Sequence, residues 1–241
     1  MDTLVVLPTY NEADSVAEVV GGIVANSVGV LIVDDGSPDG TGRIAEHLAE
    51  RHAGVSVLHR SHKQGLGRAY LAGFRAALDS GAGVIFAMDA DGSHDVCDIQ
   101  RLAAALDEGA DLALGSRLVP GGAFAGAPLG RRALTRLGNL YARAVGGVQV
   151  RDSTSGLRAY RRDLLAKLLA QESFPQGYAF QIAMVRRAEA LGAVVREVPI
   201  TFSPRRSGDS KLGFAVVSEA FREVSRWGLE RLGQKRRRRS S

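Results

Sequence analysis

Two aspartates one residue apart, Asp89 and Asp91, close the short apolar run 84–88. Such a run reads as a buried strand, and buried strands of α/β sheets present functional groups at their carboxyl ends. Paired carboxylates there repel each other unless a cation or ligand compensates them. Mg²⁺ and Mn²⁺ prefer oxygen donors, and Mg²⁺ is commonly held by one or two carboxylates together with substrate phosphates. The chemistry on offer is therefore a metal–diphosphate site. An isolated Asp-x-Asp is more often a solvated acidic loop, so the neighbouring elements decide its meaning.

Those elements alternate. Residues 3–7 form a β-branched, apolar strand stopped by Pro8. Ser15 suits a helix N-cap, and Glu18 three residues later completes a capping box for a helix reaching Ala25. A second strand over 28–33 ends in the turn-forming segment 34–41, with a helix starting at Thr41 or Gly42 and running to Arg51. A third strand follows over 55–59, and a helix opens near Lys63 and continues to Asp79. After the strand at 84–88 come a helix over 99–108 and a strand over 111–116 that runs into Arg117. This order implies parallel βαβ units with right-handed crossovers. Three successive strand ends then carry acids: Glu12, Asp34 with Asp35, and Asp89 with Asp91. In a parallel sheet these ends share one edge and line one crevice. Asp39 and Asp95 read instead as turn formers. The segment 63–70 lacks the spacing of a phosphate-binding P-loop.

Composition sets the outer bounds. A chain of 241 residues with 45% hydrophobic content suits one α/β domain with a modest extension. The single cysteine, Cys97, excludes an intrachain disulfide and reads as a small buried residue. No apolar stretch approaches the ~18 residues needed to cross a bilayer, and the start lacks a signal-peptide pattern. The net charge of +5 is supplied entirely by the run Lys235, Arg236, Arg237, Arg238 and Arg239, leaving the body neutral. That distribution argues against a nucleic-acid-binding face. The five histidines, His94 among them, have no metal-ligand spacing, and no Ser-His-Asp or Cys-His nucleophile set is present.

The segments 6–12, 33–41 and 88–94 resemble those of inverting glycosyltransferases with the GT-A fold. The likeness continues in Gly115-Ser116-Arg117, in 152–161, in 177–181 and in 205–212. Together these pieces resemble the polyprenyl-phosphate (dolichol-phosphate) mannose synthases of glycosyltransferase family 2, over roughly residues 3–213. The resemblance implies a single α/β domain with a mostly parallel central sheet flanked by helices. Its boundaries are a catalytic domain over 1–213, an amphipathic helix over 214–234 and a basic, disordered tail over 235–241.

By that resemblance, Pro8, Tyr10, Glu12, Val33 and Asp35 hold the nucleoside of a nucleotide sugar, with Asp89, Ala90, Asp91, Arg117, Arg205 and Lys211 completing its site. Asp35 can pair with the N–H edge of guanine or of uracil, so it leaves the base open. Asp89 and Asp91 bind diphosphate through Mg²⁺ or Mn²⁺. Ser93 is the third metal position, where the family often carries Gln. Asp89, Asp91, Arg117 and Arg131 form the catalytic group, and Arg117, Arg131 and Ser155 face the acceptor phosphate. Arginine suits phosphate because its planar fork bonds two oxygens at once. Arg131 is expected to sit in a Gly/Ala-rich loop, 121–130, that closes over the site. Arg132, Arg161 and Arg206 read as solvated surface charges.

A lipid phosphate, with a second pKa of about 6, is an anion without help from a general base. The family usually carries an acid after Phe180-Gln181-Ile182, where this chain has Ala183. A phosphate acceptor removes the need for that acid. The expected reaction is in-line displacement with inversion, moving mannose from GDP-mannose to a polyprenyl phosphate. A UDP-glucose-dependent glucosyltransferase and a non-catalytic adaptor of the same fold stay open as alternatives. Phe214, Val217, Phe221, Val224 and Trp227 recur at helical spacing; the helix either packs on its own domain or lies on a membrane, with the basic tail adding about 1 kcal/mol per residue near an anionic surface. The implied location is peripheral, on the cytoplasmic face of a membrane, and compatible with an integral-membrane partner.

Overall fold

In this computed structural model the described residues are 2–170, 174–175, 177–204 and 214–239, with backbone alone at 177–178, 214–216 and 232–239. The chain runs β1 (Thr3–Thr9), α1 (Val16–Ala25), β2 (Gly29–Asp34), α2 (Thr41–Arg51), β3 (Val55–His59), α3 (Leu66–Asp79), β4 (Val84–Ala87), α4 (Asp98–Asp107) and β5 (Leu112–Ser116). There follow β6 (Ala123–Phe124), α5 (Leu129–Tyr141), a π-helical turn (Ala142–Gly146), β7 (Arg158–Arg161), α6 (Arg162–Leu169), α7 (Gly177–Ala190), β8 (Val195–Pro199), β9 (Thr201–Phe202) and α8 (Phe214–Arg239).

Seven strands form one sheet in the order β3-β2-β1-β4-β7-β5-β8, and β6 pairs with β9 in a two-stranded one. All neighbours in the large sheet are parallel except β7, which lies antiparallel between β4 and β5. The alternation of strands and helices up to residue 116 carries no sign of this inserted strand. It separates β4 from β5, which would otherwise be neighbours.

The central strands are buried on both faces, so alternate side chains feed two separate cores. Val5 and Leu7 of β1, Val30 and Ile32 of β2, and Val84 and Phe86 of β4 pack with α1, α2 and α4. Val6, Leu31, Val33, Ile85 and Ala87 face the other way, against α3, α6, α7 and α8. Helix α3 comes close enough that a Cβ on Gly73 would meet Val6 Cγ1 at 2.3 Å.

Strand β1 does not stop at Pro8. It continues to Thr9 with Pro8 opposite Val33. The carbonyl of Val6 accepts from Met88 on the β4 side and that of Thr9 from Asp35 on the β2 side. By alternation, the missing N–H of Pro8 faces β4 beyond the last paired residue, Ala87, where no ladder bond is lost.

Three expectations are corrected here. Ser15 precedes α1 but makes no capping bond, and its hydroxyl donates to Glu12 instead (3.3 Å to Oε2), so the capping box is not formed. Arg131 lies within helix α5, not in a loop, and the stretch before it is tied down where β6 pairs with β9. Helix α8 extends through the basic run to Arg239, where a disordered tail was expected. Its central residues Val224 and Trp227 are buried in the domain core, while Phe221 remains 57% exposed.

Candidate active site

The loops after β1, β2 and β3 are laced together at the carboxyl edge of the sheet. Asn11 N–H donates to Ser37 Oγ (3.1 Å), Glu12 N–H to Thr41 Oγ1 (3.0 Å) and Ala13 N–H to Asp39 Oδ2 (3.1 Å). Arg60 N–H donates to the Asp34 carbonyl (2.8 Å). The turn between β2 and α2 passes through Gly36 (φ 73°) and Gly40 (φ 94°), a backbone region that favours glycine. Asp39 accepts from Thr41 and Ala13; these bonds outweigh its partial burial and hold its carboxyl below the ordinary value. Asp95 accepts from Cys97 N–H (2.9 Å). Both are turn formers, as expected.

The strand-end acids do not all serve the crevice. Asp34 is buried and accepts from Thr9 Oγ1 (3.2 Å), Ser37 N–H (3.2 Å) and Ser37 Oγ (2.6 Å). It builds the turn, which corrects its placement among the crevice carboxylates. Asp35 pairs with Arg60 and accepts from Gln64 N–H (3.2 Å). Tyr10 lies under Lys63, whose Nζ sits 4.1 Å from the ring centroid. Pro8 and Val33 are paired neighbours at the strand ends.

Asp89 and Asp91 follow β4, with Asp91 buried and the Asp89 side chain 30% exposed. Asp91 Oδ1 accepts from Ser93 N–H (3.0 Å). Asp89 Oδ1 accepts from the hydroxyl of Tyr70 (3.1 Å). Tyr70 is fully buried, and desolvation together with the Asp89 charge pushes its pKa well above the usual value, so it stays a proton donor to Asp89. Ala90, between the two acids, is buried. Gly156 closes in from the other side: a Cβ there would lie 2.5 Å from Asp89 Oδ2.

Among the described residues no group of three His, Cys, Asp or Glu side chains is arranged to hold a metal. The pair Asp89 and Asp91 is nonetheless a hard-oxygen donor set of the kind that binds Mg²⁺ or Mn²⁺ with substrate phosphates and water filling the other positions. Beside it, Ser93 Oγ and both ring nitrogens of His94 are buried without hydrogen-bond partners. His94 Nε2 is 3.6 Å from Asp89 Oδ2, and its ring meets Phe202 edge-on. Orphaned polar atoms at this spot fit a site completed by a bound group.

At the end of β5 the Arg117 guanidinium binds Asp152 with two prongs, Nε to Oδ2 and Nη2 to Oδ1, both 2.7 Å. Arg117 N–H donates to the same carboxylate (3.0 Å), and Nη2 also reaches Thr154 Oγ1 (2.9 Å). Asp152 is fully buried. Burial would push its carboxyl up, but these bonds outweigh it and hold the group below its ordinary value. The Arg117 fork is thus anchored in protein where a phosphate contact was expected. Arg131 joins it across one ring: the two guanidinium carbons lie 5.3 Å and 5.6 Å from the centroid of Phe202. Ser155 is buried with its Oγ unpartnered. Arg205 and Lys211 lie outside the described residues.

Several residues that hold this edge escaped the reading of the sequence. Arg158 is wholly buried and donates to three carbonyls, of Ser155 (2.9 Å), Ser153 (2.7 Å) and Gln181 (2.7 Å), fixing the loop that presses on Asp89. Asn139 is buried and joins Asp152, Thr154 and Ser153. An asparagine in mid-helix is a weak signal, and only its burial marks it. Arg132 and Arg161 are not solvated charges. Arg132 donates to the Phe124 carbonyl (3.0 Å), and Arg161 caps the end of α4 through Ala110 O (3.0 Å) and Leu106 O (2.5 Å). Cys97 is exposed rather than buried, and the Asp95 carboxylate beside it pushes its thiol pKa up. Ala183 packs inside the apolar core.

A mostly parallel sheet flanked by helices, with acids gathered at its carboxyl edge, defines a GT-A-type nucleotide-sugar fold. The sequence matches glycosyl transferase family 2 over residues 4–169, and the chain belongs to that family. It is 46% identical over 230 residues to a polyprenol monophosphomannose synthase of Mycolicibacterium smegmatis, covering 94% of this chain and 87% of the relative. It is 44% identical over 231 residues to an undecaprenyl-phosphate mannosyltransferase of Micrococcus luteus, covering 95% of each. The protein is therefore a glycosyltransferase. Its backbone resembles that of glucosyl-3-phosphoglycerate synthase from Mycobacterium tuberculosis, solved with Mn²⁺, UDP-glucose and phosphoglyceric acid. There the TM-score is 0.73 at 20% identity, covering 94% of this chain and 79% of that one. It also resembles a Pyrobaculum calidifontis mannosyltransferase solved with GDP-mannose and Mn²⁺ (TM-score 0.61, 18% identity, 93% of this chain and 64% of that one). At those identities the likeness concerns the fold.

Proposed function

We propose that this glycosyltransferase moves mannose from GDP-mannose to a polyprenyl phosphate, with inversion at the sugar carbon and with Mg²⁺ or Mn²⁺ at Asp89 and Asp91. The observation that carries this reading is the 46% identity, over 94% of the chain, to a relative whose name gives both the sugar and the lipid class.

The chain's own residues suit each task. Asp89, aligned by the Tyr70 hydroxyl, and Asp91, fixed by the Ser93 N–H, are the carboxylates for the metal, with Ser93 Oγ and the buried His94 ring at hand. A divalent ion there would neutralise charge developing on the departing diphosphate. Pro8, Tyr10, Glu12, Val33 and Asp35 offer the nucleoside a wall built by the laced loops after β1 and β2. Arg131 and Ser155 are the groups assigned to the acceptor phosphate. Arg117, locked by Asp152, holds its charge beside them and keeps Phe202 in place under Arg131. An acceptor that arrives as an anion needs orientation rather than deprotonation, in keeping with an apolar setting for Ala183. The same reading puts the protein on the cytoplasmic face of a membrane, attached through α8 and residues 235–239 and able to meet an integral-membrane partner. Recovery of the protein from cells entirely in the soluble fraction at low salt would count against that placement.

The test is transfer of label into the organic phase from GDP-mannose, with a polyprenyl phosphate and Mg²⁺ or Mn²⁺, beside a chelator control and UDP-glucose. Metal-dependent extraction of mannose supports donor, acceptor and metal together. Transfer from UDP-glucose alone overturns the donor, and nucleotide binding without any transfer points to an adaptor or to a missing membrane partner.

A further inference from the structure

Two arginines share the ring of Phe202 and are held in opposite ways. Arg117 spends its donors inside the protein, on the Asp152 carboxylate and the Thr154 hydroxyl. Arg131, half-buried on α5, has no hydrogen-bond or carboxylate partner for its guanidinium among the described residues. It lies over Phe202, with 5.6 Å from the guanidinium carbon to the ring centroid. An aromatic ring attracts a cation through its quadrupole. Unlike a carboxylate, it holds a guanidinium from the face and takes none of the five N–H donors, which lie in the guanidinium plane. Arg131 is placed without being consumed, and its charge is not cancelled as Asp152 cancels that of Arg117.

The ring is a fixed platform. Phe202 is buried and lies in β9 opposite Phe124 of β6, with its carbonyl accepting from Ala125 N–H (2.9 Å). The next residue, Ser203, donates its N–H to the carbonyl of Ser93 (3.0 Å), in the loop that follows Asp89 and Asp91. The ring also meets His94 of that loop edge-on, with centroids 5.4 Å apart. Phe202 is thereby registered to the two aspartates. Helix α5 is anchored separately, by Arg132 to the Phe124 carbonyl and by Asn139 to Asp152, so the arginine and its platform arrive from different segments.

We propose that Phe202 is a positioning residue, whose aromatic face sets the Arg131 guanidinium at a fixed place relative to Asp89 and Asp91 with its N–H donors left for a phosphate. The identity of that phosphate rests on the function proposed above, in which Arg131 serves the acceptor. An arginine tethered by an ion pair would meet an incoming phosphate with its fork already occupied. One with no tether would lose side-chain entropy on binding. The ring avoids both, since it orders the side chain before the anion arrives and competes for none of its hydrogen bonds. Phe202 does this through Arg131 and touches no reacting atom.

The experiment replaces the phenylalanine at 202, in the full chain, by its mono-, di- and trifluorinated analogues. Fluorine withdraws charge from the ring face while nearly keeping its shape, so an unchanged thermal midpoint shows that the fold is kept. Binding of farnesyl phosphate without donor is titrated in one arm, and binding of GDP with Mn²⁺ in the other. The expected result is a stepwise weakening of farnesyl phosphate binding, about three- to thirtyfold over the series, with GDP binding level. The same series in an Arg131→Ala background should be flat, because the ring then has no Arg131 to position. A purely structural role would produce neither the gradation nor its dependence on Arg131. Farnesyl phosphate and GDP binding that both ignore fluorination overturn the proposal, as does a gradation that persists in Arg131→Ala, which would assign the ring to Arg117 or His94. An Arg131-dependent gradation confined to GDP keeps the positioning role and overturns the acceptor reading of Arg131 instead. None of these outcomes depends on whether sugar transfer is observed.

Discussion

The hydroxyl of Tyr70 donates to the carboxylate of Asp89 across 3.1 Å, linking a fully buried helix residue to the most exposed acid of the crevice. Desolvation keeps the phenol protonated, so the bond is a fixed constraint on the direction Asp89 points. Removing it in Tyr70→Phe should weaken metal affinity about 10–100-fold, the range seen when an outer partner of a ligand is lost. The fold should lose only about 1 kcal/mol. Titrating transfer activity against Mn²⁺ reads this directly. A rightward shift with the maximal rate largely kept is the expected curve, and an unchanged curve rules the role out.

Asp91→Asn keeps the shape of a buried side chain but removes its charge. Transfer should fall by about a hundredfold or more, while nucleotide binding in the presence of chelator stays as in wild type. Isothermal titration with and without metal separates the two effects.

Gly156→Ala tests the loop fixed by Arg158. The new Cβ would sit 2.5 Å from Asp89 Oδ2 and 2.9 Å from its Cγ, so the carboxylate must move. We expect a strong loss of transfer with a stability cost of about 1–3 kcal/mol, measured by comparing turnover with the denaturant midpoint. Equal activity would mean that Asp89 has room to relax.

Arg117 and Asp152 should behave as a buried ion pair. Arg117→Ala strands a buried carboxylate and should cost about 3–5 kcal/mol, with Arg117→Ala, Asp152→Ala losing less than the sum of its parts. The pair also predicts acid sensitivity. The folded pKa of Asp152 is depressed, so its stabilisation is complete above the unfolded carboxyl value of about 3.9 and is lost as pH falls through the folded value. Urea midpoints of wild type and Asp152→Asn should therefore converge as pH drops below about 4. Curves that stay parallel would contradict this assignment.

Restoring the acid at position 183 should damage the protein rather than improve it. Ala183 is buried in the apolar cluster that also holds Tyr70, Phe180 and Met184, and a buried, unpaired carboxylate there would destabilise by at least about 3 kcal/mol. A lower thermal midpoint for Ala183→Glu, with no gain in turnover, is the expected outcome.

What the sequence alone determined was local or periodic. β3 at Val55–His59 and the ends of α2 and α3 follow from hydrophobic spacing and turn residues within a few positions of each other. The Asp89 and Asp91 pair is legible because one strand delivers both acids. Asp39 and Asp95 are legible as turn formers because each bonds a residue two positions on, Thr41 and Cys97. What only the tertiary structure decided involves partners distant in the chain. Asp34 and Asp35 are adjacent acids, yet one is consumed by Thr9 and Ser37 and the other by Arg60 and Gln64. The antiparallel β7 slots between β4 and β5 because its alternating faces fit the two cores, a fit that no local pattern encodes. Arg117 reads as a phosphate ligand until Asp152, thirty-five residues later, is seen to hold its fork. Helix α5 has the same origin, with Leu129, Leu134, Leu137 and Leu140 exposed while Asn139 is buried. Leucine spacing marks a helix, but whether leucines or arginines turn inward depends on the buried polar groups that wait for them, here Asp152 and its neighbours.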